Sequence, residues 1–272
     1  MIPNASNRNE VSGSNRVPRP WLSLITVHKN DPQGLQRTLE CLAEQGAQGV
    51  EHIVVDGSDR ILVSSAVRSL LNQCETYWVD QSSTGIYGAM NEGLSHSVGK
   101  YLFFLNAGDE LADPLVLSEL RDLLTQECPD WLYGRLVLVS NRGRERVEPR
   151  FDFEREQLRH FRSQRFPKQS ASIVKRELIL EVGGFDEELS LAADYQTMLL
   201  LTQRARPLEW GRCVTRFQLG GQSSTSWQES LRQAHSARVA AYSYSSAESV
   251  TDQLLSVPQY ARALLARVLR RV

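Results

Sequence analysis

Apolar residues along this chain fall into two alternating rhythms from Trp21 onward. Short runs of β-formers read as strands: WLSLITV from Trp21, VEHIVVD ending at Asp56, TYWVD ending at Asp80 and YLFFL ending at Leu105. Between them, apolar positions recur at helical spacing. Leu35, Leu39 and Leu42 follow Pro32, which suits the first turn of a helix. A second helix is expected over Ile61 to Leu71. A third covers GIYGAMNEGLSHSVG, with Ile86, Ala89, Met90, Gly93 and Leu94 on one face. YLFFL holds no polar residue, as a strand covered on both faces should read. Strands alternating with helices imply right-handed crossovers and a mainly parallel sheet.

After Leu120 the rhythm changes. WLYGRLVLVS and the charged NRGRERVEPR predict a hairpin at a sheet edge. Phe153 to Phe161 predicts a short helix, SASIVK a strand, and Arg176 to Val182 a helix stopped by Gly183-Gly184. Leu189 to Gln203 reads as a longer helix and RCVTRFQL as a last strand. Two helical stretches close the chain, separated by a Ser-rich stretch and Pro258. The expected organisation is a polar lead over 1–20, one α/β domain over 21–225 and a helical extension over 226–272.

Composition narrows the class. The chain has 272 residues, 41% hydrophobic and 23% charged, which excludes wholesale disorder. That length buries one large core, or one core with a short appendage. The 31 basic and 32 acidic side chains nearly cancel, which argues against capture of nucleic acid by bulk charge. No uninterrupted apolar stretch approaches the roughly 20 residues that span a bilayer. Cys41, Cys74, Cys128 and Cys213 are widely spaced without a C-x-x-C pair, and read as buried free thiols in a reducing cytosol. The N-terminus lacks the apolar core of a secretory signal. A cytoplasmic protein is the expectation.

In open parallel sheets, ligands sit outside the carboxyl ends of the strands. The residues just past each strand are therefore site candidates. They are His28, Lys29, Asn30 and Asp31; Asp56, Gly57, Ser58 and Asp59; Asp80 and Gln81; and Asn106, Gly108 and Asp109. The first βα turn, HKNDPQG, lacks G-x-G-x-x-G, and no G-x-x-x-x-G-K-[ST] occurs, which disfavours dinucleotide binding and P-loop chemistry. In FFLNAGDEL, Asp109 follows a rigid apolar strand. It suits a hard cation such as Mg²⁺ or Mn²⁺, or equally a cap on the next turn. In GGFDEELSLAADYQTMLLL, Asp194 opens an apolar helix, as its cap or as a base in a cleft.

In order and spacing, SLITVHKN, IVVDGS, GIYGAMNEG, YLFFLNAGD, GGFDEELSLAADY and FQLGGQSST resemble the family 2 glycosyltransferases of GT-A fold, in particular bacterial exopolysaccharide enzymes of the colanic acid type. The likeness covers about residues 22–226. It implies a Rossmann-like α/β fold with a mainly parallel mixed sheet flanked by helices. It implies metal-dependent, inverting transfer of a hexose from a UDP-sugar to a hydroxyl of a glycan or lipid-linked acceptor. Asp56 would hydrogen-bond the uracil or ribose, and the segment Thr26, Val27, His28 to Asn30 would line the base pocket. Asn91 and Asn106 would help position the nucleotide sugar. Asp109 would take the place of the last aspartate of a D-x-D-like element and hold Mn²⁺ or Mg²⁺ on the diphosphate. Asp194 would be the catalytic base. Gly220, Gly221 and Ser223 would belong to a late loop over the diphosphate.

The implied chemistry is coherent in itself. A sugar diphosphate leaves poorly until its charge is neutralised, which a metal does as a Lewis acid. An acceptor hydroxyl attacks poorly until its proton has somewhere to go, which a carboxylate supplies. The sequence also departs from the family pattern. Ser83 and Gly88 stand where acidic residues are usual, Lys168-Gln169 where His-Gln is common, and D-G-x-S-x-D is shortened to DGSDR. Lys168 reads as a solvated surface lysine, with a cation near phosphate or acceptor as the alternative. A nucleotide-sugar-binding partner without catalysis is the competing class. A nucleotidyltransferase would need a Gly-rich, basic turn after the first strand, which is missing.

The remaining motifs carry less. His28, His52, His96, His160 and His235 show no metal spacing, and His52 reads as a packed or edge residue. In QYARALLARVLRRV, Ala261, Leu264, Leu265, Val268 and Val272 share a face apart from Arg262, Arg267, Arg270 and Arg271. That suits peripheral contact with an anionic membrane surface, and equally a helix packed on the domain or on a second subunit of a homo-oligomer.

Overall fold

The computed structural model describes residues 19–46, 48–59, 65–73, 76–220 and 226–269. The first half follows the expected alternation: β1 (Leu22–His28), α1 (Pro32–Ala43), β2 (Val50–Asp56), α2 (Ser65–Gln73), β3 (Thr76–Asp80), α3 (Gly85–His96) and β4 (Tyr101–Phe104). Asp31 caps α1 by accepting from Gly34 N at 2.8 Å, with Pro32 in the first turn. Strand β1 pairs in parallel with both β2 and β4, and β2 with β3.

The second half contains β5 (Glu110–Leu111), α4 (Val116–Glu127), the hairpin β6 (Trp131–Val139) and β7 (Glu145–Val147), and α5 (Phe153–Leu158). A short 3-10 turn (Gln169–Ala171), β8 (Ser172–Lys175), α6 (Arg176–Glu181), α7 (Ala193–Arg204) and β9 (Leu208–Gln218) follow. One mixed sheet runs β3-β2-β1-β4-β8-β6-β9-β5, with β7 on β6. Strand β8 is antiparallel to both β4 and β6, while β9 lies parallel to β6. Helix α4 was not anticipated. It buries Val116, Leu117, Leu120 and Leu124 at helical spacing.

The pleat of β4 sends alternate residues to opposite faces. Leu102 and Phe104 join Ile25, Ile53, Met90 and Met198 under α3 and α7. Tyr101, Phe103 and Leu105 join Leu24, Leu120 and Leu132 on the α4 side. The sheet is thus covered on both faces, as the unbroken apolar run of β4 requires. Gly183 and Gly184 both adopt positive φ, 89° and 72°, and end α6 as expected.

Two corrections arise here. Ile86, expected on the buried face of α3, is 43% exposed, and Tyr87 takes the buried position instead. Of the thiols expected to be buried, Cys128 is exposed and Cys41 and Cys213 are half-buried; all three are free, and Cys74 lies outside the described residues.

Helices α8 (Trp227–Tyr242) and α9 (Ser246–Leu269) close the chain. The break between them is the turn at Ser243, with φ +50°. Pro258 was expected to help separate them, but it lies inside α9. The pair is pinned by Asp252, fully buried, which meets Arg238 Nη2 at 2.8 Å, His235 Nδ1 at 2.7 Å and Arg162 Nε at 2.5 Å. The polar lead over 1–18 lies outside the described residues.

Candidate active site

The parallel register sets His28 beside Asp56 and Asp56 beside Asp80, three polar groups in line at the carboxyl edge of the sheet. Asp56 Oδ1 accepts from His28 Nδ1 at 2.8 Å, Ser58 N at 3.0 Å and Ser58 Oγ at 2.5 Å. Asp31 N donates to His28 Nε2 at 3.2 Å, which assigns the ring proton to Nδ1. Burial pushes the Asp56 carboxyl up, but the bonds from His28 and Ser58 outweigh it and hold the group below the usual carboxylate range. The result is an ionised acceptor with Oδ2 left for a ligand.

A cavity of about 1120 Å³ opens on this edge, ample for a nucleotide-sized ligand. Val27, His28, Asp56, Asp80, Asn106 and Asp194 all line it. Tyr87, Glu148, Lys168 and Ser170 line it as well. Sequence β2-β1-β4-β8 separates Asp56 from the turn preceding β8 by three strand spacings, about 14 Å at 4.8 Å each. The cavity therefore reaches from Asp56 to Lys168 in the turn before β8, with Asp194 also on its wall.

Asp194 lies in the first turn of α7, and no side chain caps that helix. Its Oδ1 accepts from Tyr87 Oη on α3 at 2.9 Å. Asp194 therefore does not act as the side-chain cap of its helix. Burial raises its pKa, opposed by the Tyr87 bond and the positive charge of Lys168. A cavity-lining carboxyl of raised pKa is chemically able to accept a proton.

Lys168 is not the solvated surface residue expected. It is half-buried and lines the cavity, with Nζ 3.5 Å from the Phe166 ring centroid and donating to Gln164 O at 3.3 Å. Burial lowers its pKa, while Glu148 and Asp194 act to raise it.

Asp109 is carried elsewhere. Strand β5 pairs with β9, and Asp109 Oδ1 accepts from Gln218 N at 3.0 Å. The side chain is 4% exposed, does not line the cavity, and is pushed up to about 7 by burial. Asn106 Oδ1, buried without a hydrogen-bond partner, belongs to a residue that does line the cavity. Among the described residues, no group of three His, Cys, Asp or Glu side chains is gathered to hold a metal ion. With one oxygen held by Gln218 N, burial opposing its charge and no part in the cavity lining, Asp109 is a poor fit for a divalent cation on a diphosphate bound there.

The other expected site residues that the structure describes do not line the cavity. Thr26 is buried and bonds His52, whose other nitrogen meets Thr76 Oγ1 at 2.8 Å; burial holds His52 neutral, down to about 3. Asn30 is exposed with φ +54° and donates its N–H to Ser58 Oγ. Asn91 clamps the loop after α6, donating to Phe185 O and Glu187 Oε1 and accepting from Phe185 N. Gly220 has φ +123° beside Asn141. Gly221 and Ser223 lie outside the described residues. Tyr87, Glu148 and Ser170 were not singled out from the sequence. Only the position of Tyr87 in GIYGAMNEG hinted at one of them.

The mostly parallel mixed sheet flanked by helices is a fold of the GT-A kind. The chain belongs to glycosyl transferase family 2, whose model matches residues 23–183. An uncharacterized glycosyltransferase of Mycobacterium tuberculosis is 34% identical over 204 residues, covering 72% of this chain and 73% of that one. The crystal structure of S. aureus TarS 1–349 in complex with UDP aligns with a TM-score of 0.63 at 16% identity, over 87% of this chain and 70% of that one. A mannosyltransferase from Pyrobaculum calidifontis, in complex with GDP-Man and Mn²⁺, aligns with a TM-score of 0.61 at 18% identity, over 93% and 76%.

Proposed function

We propose that this protein is an inverting glycosyltransferase that moves a sugar from a UDP-linked donor to a hydroxyl of a glycan or lipid-linked acceptor, in bacterial exopolysaccharide synthesis. One observation carries the reading: a single cavity is lined both by an ionised acceptor, Asp56, and by a half-buried carboxyl of raised pKa, Asp194. Asp56 Oδ2 accepts from the N–H edge of the base or from a ribose hydroxyl. The donor then extends across β1 and β4 toward Asp194.

The acceptor oxygen attacks the anomeric carbon opposite the diphosphate. A carbon–oxygen bond forms, the bond to the diphosphate breaks, and its electron pair stays on the phosphate oxygen. The acceptor proton passes to Asp194, whose raised pKa makes it a stronger base. Attack from the opposite face inverts the centre. The metal dependence expected from the sequence has a counterpart in the Mn²⁺ of the mannosyltransferase complex, whereas Asp109, held by Gln218 N outside the cavity lining, is a poor fit for that role here.

Among the described residues, no helix is long and apolar enough to cross a membrane. Val250, Leu254 and Val257 on α9 are 57%, 67% and 55% exposed at helical spacing, ahead of the Arg-rich end. This supports peripheral contact with an anionic inner membrane face, where a lipid-linked acceptor would reside.

A ligand that binds only the folded state raises the melting temperature. In a thermal-shift screen of nucleosides, nucleotides and nucleotide sugars, UDP and a UDP-sugar are expected to raise Tm. Absence of a shift with any nucleotide contradicts the reading.

A further inference from the structure

The cavity poses a charge problem. Asp56, Asp59, Asp80, Glu148 and Asp194 line it, against two ammonium groups, Lys29 and Lys168. A diphosphate entering so acidic a cleft needs a cation, and Asp109 offers no place for a metal. Lys29 is exposed beside His28, at the Asp56 end. Lys168 stands at the other end, where the sugar–phosphate bond must break if Asp194 is the base.

The chain invests unusual geometry in holding Lys168 there. Three non-glycine residues just ahead of it, His160, Phe161 and Gln164, adopt left-handed φ of 50°, 50° and 64°. Such residues are costly and persist where the surrounding structure fixes them. The carbonyl of Gln164 and the face of Phe166 then receive the ammonium from one side. Among the described residues, Lys168 forms no ion pair within 4 Å, so the charge is oriented without being consumed by a carboxylate.

We propose that Lys168 supplies the positive charge that holds the donor's diphosphate and stabilises it as it departs, in the place expected of a divalent ion. This assignment rests on the nucleotide-sugar reading of the cavity. Lys168 donates from a fixed point charge to the phosphate oxygens, while Asp194, on the wall of the same cavity, takes the acceptor proton on the opposite face of the sugar.

The test compares diphosphates with monophosphates by calorimetry in EDTA: UDP against UMP and GDP against GMP, for wild type, Lys168→Met, Lys168→Gln and Lys168→Arg. The expected result is that the wild type prefers the diphosphate at least tenfold without metal. Lys168→Met and Lys168→Gln lose that preference while monophosphate affinity changes less than twofold, and Lys168→Arg keeps most of it. The unchanged monophosphate affinity shows the site to be intact. A diphosphate preference that survives Lys168→Met, or that appears in the wild type only on adding Mn²⁺, overturns the assignment while leaving the nucleotide reading standing. A wild type that binds none of the four nucleotides overturns both.

Discussion

Tyr87 ties α3 to the first turn of α7 through a single hydroxyl, donated to Asp194 Oδ1. That bond stabilises the ionised carboxylate and so lowers its pKa against the upward push of burial. Removing it in Tyr87→Phe raises the Asp194 pKa further. The base form is the deprotonated one, so the acid limb of the kcat profile is expected to move to higher pH, with little change at the alkaline end. The ring still stacks on Phe185, so the variant keeps its fold. An acid limb that stays where it was in the wild type would separate Tyr87 from the base.

The same scale shows where sequence reading stops. Asp56 was legible because a parallel strand end fixes both its position and its direction. Asp109 lies five residues past the end of β4, immediately before the two-residue strand β5, whose pairing with β9, over a hundred residues away, turns the carboxyl onto Gln218 N. Lys168 was misread for a similar reason: its burial depends on Phe166 and on the left-handed turns before it, which no periodicity announces.

Among the elements, the strands and crossovers of the first half were plain, because their apolar runs and the spacing of Leu35, Leu39 and Leu42 leave little choice. Helix α4 was missed although its buried positions are periodic, and Pro258 was read as a break although α9 runs through it. The attachment of α9 was not legible at all, since it depends on one buried acid. Asp252 meets the guanidinium groups of Arg238 and Arg162 and the ring of His235, with Arg238 itself 2% exposed. Asp252→Asn strands the Arg238 charge and is expected to cost about 3 kcal/mol or more, read as a lower melting temperature or an earlier denaturant midpoint. Burial pushes Asp252 up, but its bonds to Arg238, His235 and Arg162 hold it down to about 2, below the 3.8 of a free carboxyl. Its stabilisation is therefore complete above the unfolded value and lost as pH falls through the folded one. In the Asn variant that acid-side loss should shrink. An unchanged melting temperature would mean that the C-terminal helices stand apart from the stability of the domain.

For the molecule as a whole, one sheet does two jobs. Its parallel half lines up His28, Asp56 and Asp80 at one end of the cavity, and its antiparallel half brings β8, the preceding turn and the hairpin acid Glu148 to the other. The central claim is that the two ends act on one donor, with Asp194 taking the proton. The most direct measurement is release of nucleoside diphosphate from UDP- and GDP-sugars with water as the acceptor, set beside donor affinity, in wild type and Asp194→Asn. The account predicts slow release by the wild type, and a fall on the order of a hundredfold or more in the variant with donor affinity changed less than threefold. Release at the wild-type rate by Asp194→Asn would contradict the assignment, and donor binding without release by the wild type would make the protein a nucleotide-sugar-binding partner instead.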